Sequence, residues 1–180
     1  MQRFATALLA SAMFLPTSGD PASAEQVRAE RLLGGNENPP VVSDGSGSFR
    51  ARLHEDRISF RLRYDVASDE SDVLQAHLHI ANPGNNGGIV AFLCSNIEQP
   101  PPPTDRLCPD SPGEVSGDIF AEHVMTVTDG APPNPVVTII EAGNLEGLKR
   151  LIEQGSVYAN VHTDDHMGGE IRGQLEPRRR

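Results

Sequence analysis

The sequence has no tryptophan, a single lysine (Lys149) and only 2 cysteines among its 180 residues. After residue 24 it also has no apolar run that approaches the roughly 20 residues a membrane-spanning helix needs, so we expect no permanent membrane anchor. The formal net charge of -10 at pH 7 disfavours a nucleic acid as the partner, because the phosphate backbone attracts basic surfaces.

The first residues have the features of a secretory signal peptide. Arg3 provides a basic start, residues 4–15 form an apolar run, and residues 22–24 offer a small-residue cleavage site. We therefore expect residues 1–24 to be removed, residues 25–177 to form a single domain, and the basic residues 178–180 to be a disordered tail. The expected location is outside the cytoplasm, in the periplasm or the surrounding medium.

The two cysteines are Cys94 and Cys108, separated by a segment that contains a run of four prolines, residues 100–103. An exported chain with an even number of cysteines is most simply interpreted as carrying a disulfide. The spacing is not C-x-x-C, the pattern typical of redox-active thiols. The sequence therefore predicts a structural bridge between Cys94 and Cys108.

Alternation of apolar and polar residues predicts several β-strands. Residues 48–64 predict a hairpin that turns at residues 54–56, with an apolar side facing the core and arginines facing water. Residues 74–80 and 89–94 predict a second hairpin, joined by a flexible glycine-rich loop at residues 82–88. Residues 115–128 predict a further strand, in which Gly117 suggests a bulge or a close approach of the backbone.

Helical spacing is confined to residues 145–154, where Asn144 can cap the start and Gly155 can supply the left-handed residue that ends the helix. Residues 131–135 form a connector, and residues 156–163 and 170–175 predict a last pair of strands. This pattern predicts an all-β, mainly antiparallel fold, a Greek-key sandwich or partly closed barrel with one short α-helix.

Three segments resemble the chordin-type (CHRD) domain family. Residues 32–40, LLGGNENPP, are similar to its opening pattern L-x-G-x-x-E-x-P-P, and residues 76–79, AHLH, are similar to its central A-H-x-H strand. Residues 155–175 are similar to the closing pattern G-x-x-Y-V-N-V-H-T followed by G-G-E-I-R-G-Q-L. Ala159 and Met167 depart from the usual valine and proline, and we expect neither to touch a candidate site.

The resemblance implies the fold and an extracytoplasmic location, but no established chemistry. We therefore expect a non-enzymatic binding or structural module, whose partner is an unidentified protein or extracellular ligand and which requires no cofactor. Edge strands and glycine-rich loops are the expected contact surfaces.

The alternative hypothesis is a metal-binding domain. His77 and His79 lie two apart on a predicted strand, so both imidazoles leave the same face, and His162 lies on the last predicted strand pair. If these strands are neighbours, the three imidazoles can hold copper or zinc, with a possible redox role, and His166 is a weaker fourth candidate. The opposing interpretation is that the histidines are neutral and only hydrogen-bond the sheet to nearby loops.

Glu170 and Arg172 lie two apart on one predicted strand face near the end of the chain. One hypothesis is that they join a polar cluster with the three histidines as outer partners. The alternative, which we slightly favour, is an ordinary exposed ion pair. We predict no catalytic residue, because the sequence lacks the G-x-S-x-G pattern of hydrolases. Catalytic triads are assembled in space, however, so a hydrolase remains a third hypothesis.

Overall fold

The computed structural model describes residues 25–66, 72–97, 104–130 and 136–177. The predicted signal peptide, the proline run, the connector at residues 131–135 and the predicted tail lie outside these ranges. The described residues form eleven strands and one α-helix: β1 (Glu25–Leu33), β2 (Ser46–Leu53), β3 (Ile58–Asp65), β4 (Val73–Ile80), β5 (Gly88–Ser95), β6 (Gly113–Ile119), β7 (Val127–Asp129), β8 (Val137–Ile140), α1 (Leu145–Glu153), β9 (Val157–Thr163), β10 (Ile171–Gln174) and β11 (Glu176–Pro177).

Nine of these strands form one antiparallel sheet in the order β5-β4-β9-β10-β1-β2-β3-β6, with β11 pairing to β1. The two end strands, β5 and β6, approach each other, so the sheet is a nearly closed barrel. Strands β7 and β8 form a separate pair beside β5. The predicted all-β class is confirmed, and of the two predicted forms the structure is the barrel.

The β2–β3 hairpin has the predicted arrangement. Its strands pair in continuous register from Ser46 opposite Asp65 to Leu53 opposite Ile58. The apolar side is buried and the arginines at positions 50, 52, 61 and 63 are exposed. Because side chains alternate across a strand, this register places every large apolar residue of the hairpin on the core face. The largest fully buried apolar side chains are Leu32, Phe49, Ile58, Leu62, Leu78, Leu93, Ile119, Leu148, Ile152, Ile171 and Leu175.

The strand prediction was wrong or incomplete at several points, and the short strands β8 and β11 were not predicted. The predicted strand at residues 115–128 is two strands, β6 and β7, separated by a 3-10 turn at Ala121–His123. Gly117 pairs with Phe60 in regular register, and its missing side chain leaves room for Arg106 rather than for a bulge. Strand β1 was not predicted, because a register shift between Ala29 and Leu32 interrupts its alternation.

The helix matches its prediction. The Asn144 side chain accepts a hydrogen bond from the Gly147 amide at 2.8 Å, which satisfies one of the free donors at the helix start. The chain leaves the helix through Gly155, whose φ of 73° is a backbone conformation that other residues rarely adopt. The helix buries its apolar side against the core through Leu145, Leu148 and Ile152. No helix among the described residues is long and apolar enough to cross a membrane.

The structure has the predicted disulfide between Cys94 and Cys108. It joins the end of β5 to the segment before β6. The Asn96 side chain reinforces this junction, because it accepts a hydrogen bond from the Cys108 amide at 3.0 Å and donates one to the Val73 carbonyl at 2.8 Å. The bridge therefore fixes the path of the chain at the open side of the barrel.

Replacing both cysteines by serine should lower the free energy of unfolding by about 3 kcal/mol, because the unfolded chain regains the freedom of a short closed loop. For a chain of this size the melting temperature should fall by about 6–12 °C. Thermal melting followed by circular dichroism measures the change. Added reductant should lower the wild-type melting temperature to the variant's value and leave the variant unchanged; an unchanged melting temperature in the variant would mean that the bridge contributes nothing.

Candidate metal centre

The register between β4 and β9 brings the predicted site residues together. His77 lies opposite Asn160, and His79 lies opposite Tyr158. His162 follows Asn160 at the next position on the same face of β9. Paired residues in an antiparallel sheet project to the same side, so all of these side chains leave one face of the sheet. The opposite face carries the core residues Ala76, Leu78, Ala159 and Val161.

The three imidazoles of His77, His79 and His162 form a compact group, in which each offers one nitrogen within 4.8 Å of the others. The ring centroid of His77 lies 4.8 Å from that of His79 and 4.5 Å from that of His162. His166 does not belong to this group, so of the four candidate histidines the structure brings together three.

The histidine group is buried, which the sequence pattern did not predict. The exposed fractions are 1% for His77, 8% for His79 and 7% for His162. The Phe92 ring on β5 packs edge-on against His77 at 5.1 Å. Burial lowers the pKa of His77 to about 2, aided by the neighbouring His162 and His79. Burial likewise lowers the pKa of His79 to about 4 and that of His162 below its usual value, so all three rings are neutral at pH 7.

Two loops fix the tautomers of His79 and His162. The Nδ1 atom of His79 lies 2.8 Å from the Gly87 carbonyl oxygen, and Nδ1 of His162 lies 2.8 Å from the Met167 carbonyl oxygen. A carbonyl can only accept a hydrogen bond, so in each ring Nδ1 carries the proton. The lone pair of each ring is therefore on Nε2. Met167, a departure from the family pattern, touches the site through its backbone, so the expectation that it would not was wrong.

The third ring, His77, is oriented by Asn160. Its Nδ1 atom lies 3.1 Å from Asn160 Oδ1 and 2.9 Å from His79 Nε2. Since Nε2 of His79 carries a lone pair, both neighbours are acceptors, and Nδ1 of His77 donates. The lone pair of His77 is then also on Nε2. The Nε2 atoms of His77 and His162 are buried and have no hydrogen-bond partner among the described residues.

Asn160 connects the histidine group to Glu37, a buried carboxyl on the turn after β1. Its amide hydrogen-bonds the Glu37 side chain, whose Oε1 atom is buried and has no hydrogen-bond partner among the described residues. Burial raises the pKa of Glu37 to about 7, although Arg172 and the bond from Asn160 lower it. Position 169 next to this carboxyl requires glycine. A Cβ there would lie 2.7 Å from Glu37 Oε1, and the φ of 119° is a backbone conformation that other residues rarely adopt.

Arg172, on β10, is 2% exposed and closes the other side of the site. Its guanidinium lies over the Tyr158 ring at 3.4 Å, and Tyr158 in turn stacks on His79 at 4.7 Å. Arg172 also donates to the Asn85 carbonyl at 2.6 Å and to Asn86 Oδ1 at 3.1 Å. These two contacts join the loop at residues 82–87 to the sheet, and the flexibility of this loop stays a prediction.

Glu170 has a different environment from Arg172. It is buried and accepts hydrogen bonds from Ser43 Oγ at 2.7 Å and from Thr163 Oγ1 at 2.9 Å. Thr163 follows His162 directly on β9, so its side chain leaves the other face of the strand. The carboxyl that bonds to Asn160 is Glu37. No motif in the sequence marks Glu37 as a site residue, because it lies far from the histidines along the chain.

The chain matches the family model described as the CHRD domain over residues 29–175, most of its length. It belongs to the CHRD domain family. No curated protein and no solved structure matches the chain. Within this CHRD domain, the three signature segments supply the residues of one site. The opening segment provides Glu37, the central strand His77 and His79, and the closing segment Tyr158, Asn160, His162 and Arg172.

The donor atoms fit a transition-metal ion. The Nε2 lone pairs of His77 and His162 are free, whereas that of His79 accepts from His77 Nδ1 and would have to leave this bond to bind an ion. Neutral imidazole nitrogen is a ligand that both zinc and copper accept. In two of the three rings the other nitrogen donates to a backbone carbonyl, which is the outer contact usually found behind a metal-bound histidine. His77 differs only in that its Nδ1 donates to the side-chain oxygen of Asn160 instead of to a backbone carbonyl.

The raised pKa of Glu37 gives a pH dependence that can be measured. The ordinary pKa is 4.5 and that in the folded protein is about 7, so the folded protein holds the proton more tightly than the unfolded chain. Wild-type stability should therefore fall as the pH rises through this window. Glu37→Gln keeps an acceptor for Asn160 and cannot ionise.

The free energy of unfolding of Glu37→Gln, relative to that of wild type, should be higher at pH 8.5 than at pH 5. The expected change is on the order of 1 kcal/mol after allowance for solvent screening. Urea unfolding at the two pH values measures the difference. Glu176→Gln, a substitution at an exposed glutamate, is the control and should show no such change. A constant difference between wild type and Glu37→Gln would show that the carboxyl does not titrate in this window.

Proposed function

We propose that this protein is an exported, non-enzymatic binding module whose ligand is a copper or zinc ion held by His77, His79 and His162. The observation that carries the proposal is the pair of buried, unpartnered Nε2 atoms on His77 and His162. The export part is supported by the disulfide, which is typical of oxidising compartments outside the cytoplasm.

The energetics favour a ligand at these nitrogens. A buried polar atom without a hydrogen bond costs about 1–3 kcal/mol, and such atoms are rare in native proteins. Histidines with a purely structural role are expected to use both ring nitrogens or to expose one to water. In His79 and His162, the Nδ1 atom donates to a backbone carbonyl, that of Gly87 and that of Met167 respectively. These two Nδ1 atoms are therefore not available to an ion. A metal ion would satisfy the remaining nitrogens together.

Three neutral ligands suit either metal. Zinc sites with three protein ligands leave a further position for water or another ligand, and copper also accepts imidazole nitrogen. With copper the centre would hold a redox-active ion, whereas zinc has no redox chemistry. The identity of the metal therefore separates a passive binding site from one with a possible redox role.

The test is elemental analysis and thermal melting of wild type and a His77→Ala/His79→Ala variant. Purified wild type should contain copper or zinc in near one-to-one ratio. Added ion at about 100 times its dissociation constant should stabilise the metal-free protein by about 2.7 kcal/mol, or a melting shift of roughly 5–10 °C. The variant should bind no ion and show no shift.

The matched control is His54→Ala/His166→Ala, which removes two histidines outside the group and should keep both the metal and the shift. Because the shift is measured within each protein, with and without ion, lower intrinsic stability of a variant does not affect the comparison. The proposal is refuted if wild type is purified without metal and its melting temperature does not change when copper or zinc is added. The histidines would then have a structural role.

The role of Asn160 can be tested separately. Asn160→Leu removes the acceptor that fixes the tautomer of His77, so the affinity for the metal should fall by about tenfold or more. Competition with a chromophoric chelator measures it. Gln174→Leu is the control, because the Gln174 amide bonds to the Ala81 and Gly155 carbonyls rather than to a histidine. Equal affinities in the two variants would contradict this role of Asn160.

A further inference from the structure

The outer face of the sheet carries a row of arginines that the metal centre does not use. Arg28 on β1 lies directly opposite Arg50 on β2, and Arg50 lies directly opposite Arg61 on β3. The three guanidinium groups therefore form one line across three neighbouring strands, which are about 4.8 Å apart. Arg52 and Arg63 flank this line on the same face, because each lies two residues from a member of it.

These arginines are only partly neutralised. Arg28 pairs with Glu30 at 2.9 Å, and Glu114 pairs with both Arg61, at 3.4 Å, and Arg63, at 2.5 Å. Arg50 and Arg52 have no ion pair within the described ranges. Like charges placed directly opposite each other destabilise a sheet. A row of three arginines in register is therefore unfavourable for the isolated fold and becomes favourable when an anion lies across it.

We propose that this face, lined by Arg28, Arg50, Arg52, Arg61 and the neutral residues Gln26, Ser59 and Ser116, binds a linear acidic polysaccharide through its carboxylate groups. Guanidinium groups bind carboxylates with two parallel hydrogen bonds. The spacing between strands is comparable with the length of one sugar in an extended chain. Hydroxyl and amide side chains beside the arginines suit the sugar hydroxyls. The inference is independent of the metal centre.

The surroundings favour a polysaccharide over other polyanions. The aromatic side chains of β2 and β3, which are Phe49, Phe60 and Tyr64, are buried on the other side of the sheet, so these two strands offer no ring on this face on which a nucleic-acid base can stack. The side chains between the arginines are polar, and a membrane surface is usually bound with the help of inserted apolar groups.

The overall negative charge does not prevent this interaction. At physiological ionic strength charges are screened over about 8 Å, so a flexible polymer on this face responds mainly to the nearby arginines. The net charge of -10 disfavours binding over the rest of the molecule, and the acidic residues on this face, Glu114 and Asp118, are paired with arginines.

The experiment measures the affinity of the purified protein for polygalacturonate by isothermal titration calorimetry in 50 and 200 mM NaCl. Wild type should bind, and more weakly at the higher salt concentration. Arg50→Ser/Arg61→Ser should lower the affinity by roughly tenfold, as expected for two lost charge contacts with a polyanion. Arg31→Ser/Arg150→Ser, exposed arginines outside the row, changes the net charge equally and should retain wild-type affinity.

Neutral dextran, a DNA duplex and anionic phospholipid vesicles are the comparison ligands. No binding to polygalacturonate, equal losses in both double variants, or tighter binding to DNA or vesicles would each overturn the proposal. Circular dichroism melting of each variant confirms that it is folded. The substituted arginines are exposed and do not lie on β4 or β9, which carry the three histidines. Metal binding should therefore be the same in all of these variants.

Discussion

The site depends on the pairing register of β4 with β9. Only this register sets His77 opposite Asn160 and His79 opposite Tyr158, with His162 two residues further on. A shift of one residue would exchange the two faces of β4 relative to β9, so histidines would meet core residues and the imidazoles would no longer converge. The buried apolar face, with Ala76, Leu78, Ala159 and Val161, opposes such a slip. Core packing on one side of the sheet thus holds the polar group on the other.

The polar face is dry because loops cover it, and the same loops supply its hydrogen bonds. The carbonyls of Gly87 and Met167 accept from His79 and His162, while Arg172 ties the loop at residues 82–87 to the sheet. Exclusion of water keeps the imidazoles neutral, which leaves their lone pairs available to an ion. The covering loops therefore both bury the three histidines and keep their imidazoles in the neutral form that can bind a metal ion.

The sequence predicted what depends on local pattern. The β2–β3 hairpin, α1 with its Asn144 cap and the position of His77, His79 and His162 on strands follow from periodicity and capping residues. Strand β1 was missed because its register shift breaks the alternation. The role of Glu37 was missed because its contact with Asn160 joins residues far apart in sequence. Burial of the histidine face was missed because the covering loops show no periodic pattern.

Two of the three histidines are held by main-chain carbonyls, one at Gly87 and one at Met167. Every residue type has a carbonyl, so the identity of the side chain at position 167, which projects into solvent, is free to change without loss of the contact. Mutational drift in this loop is therefore tolerated as long as the backbone path is kept. The contacts of the histidines and Asn160 are made by side-chain atoms, so a substitution at these positions removes the contact itself.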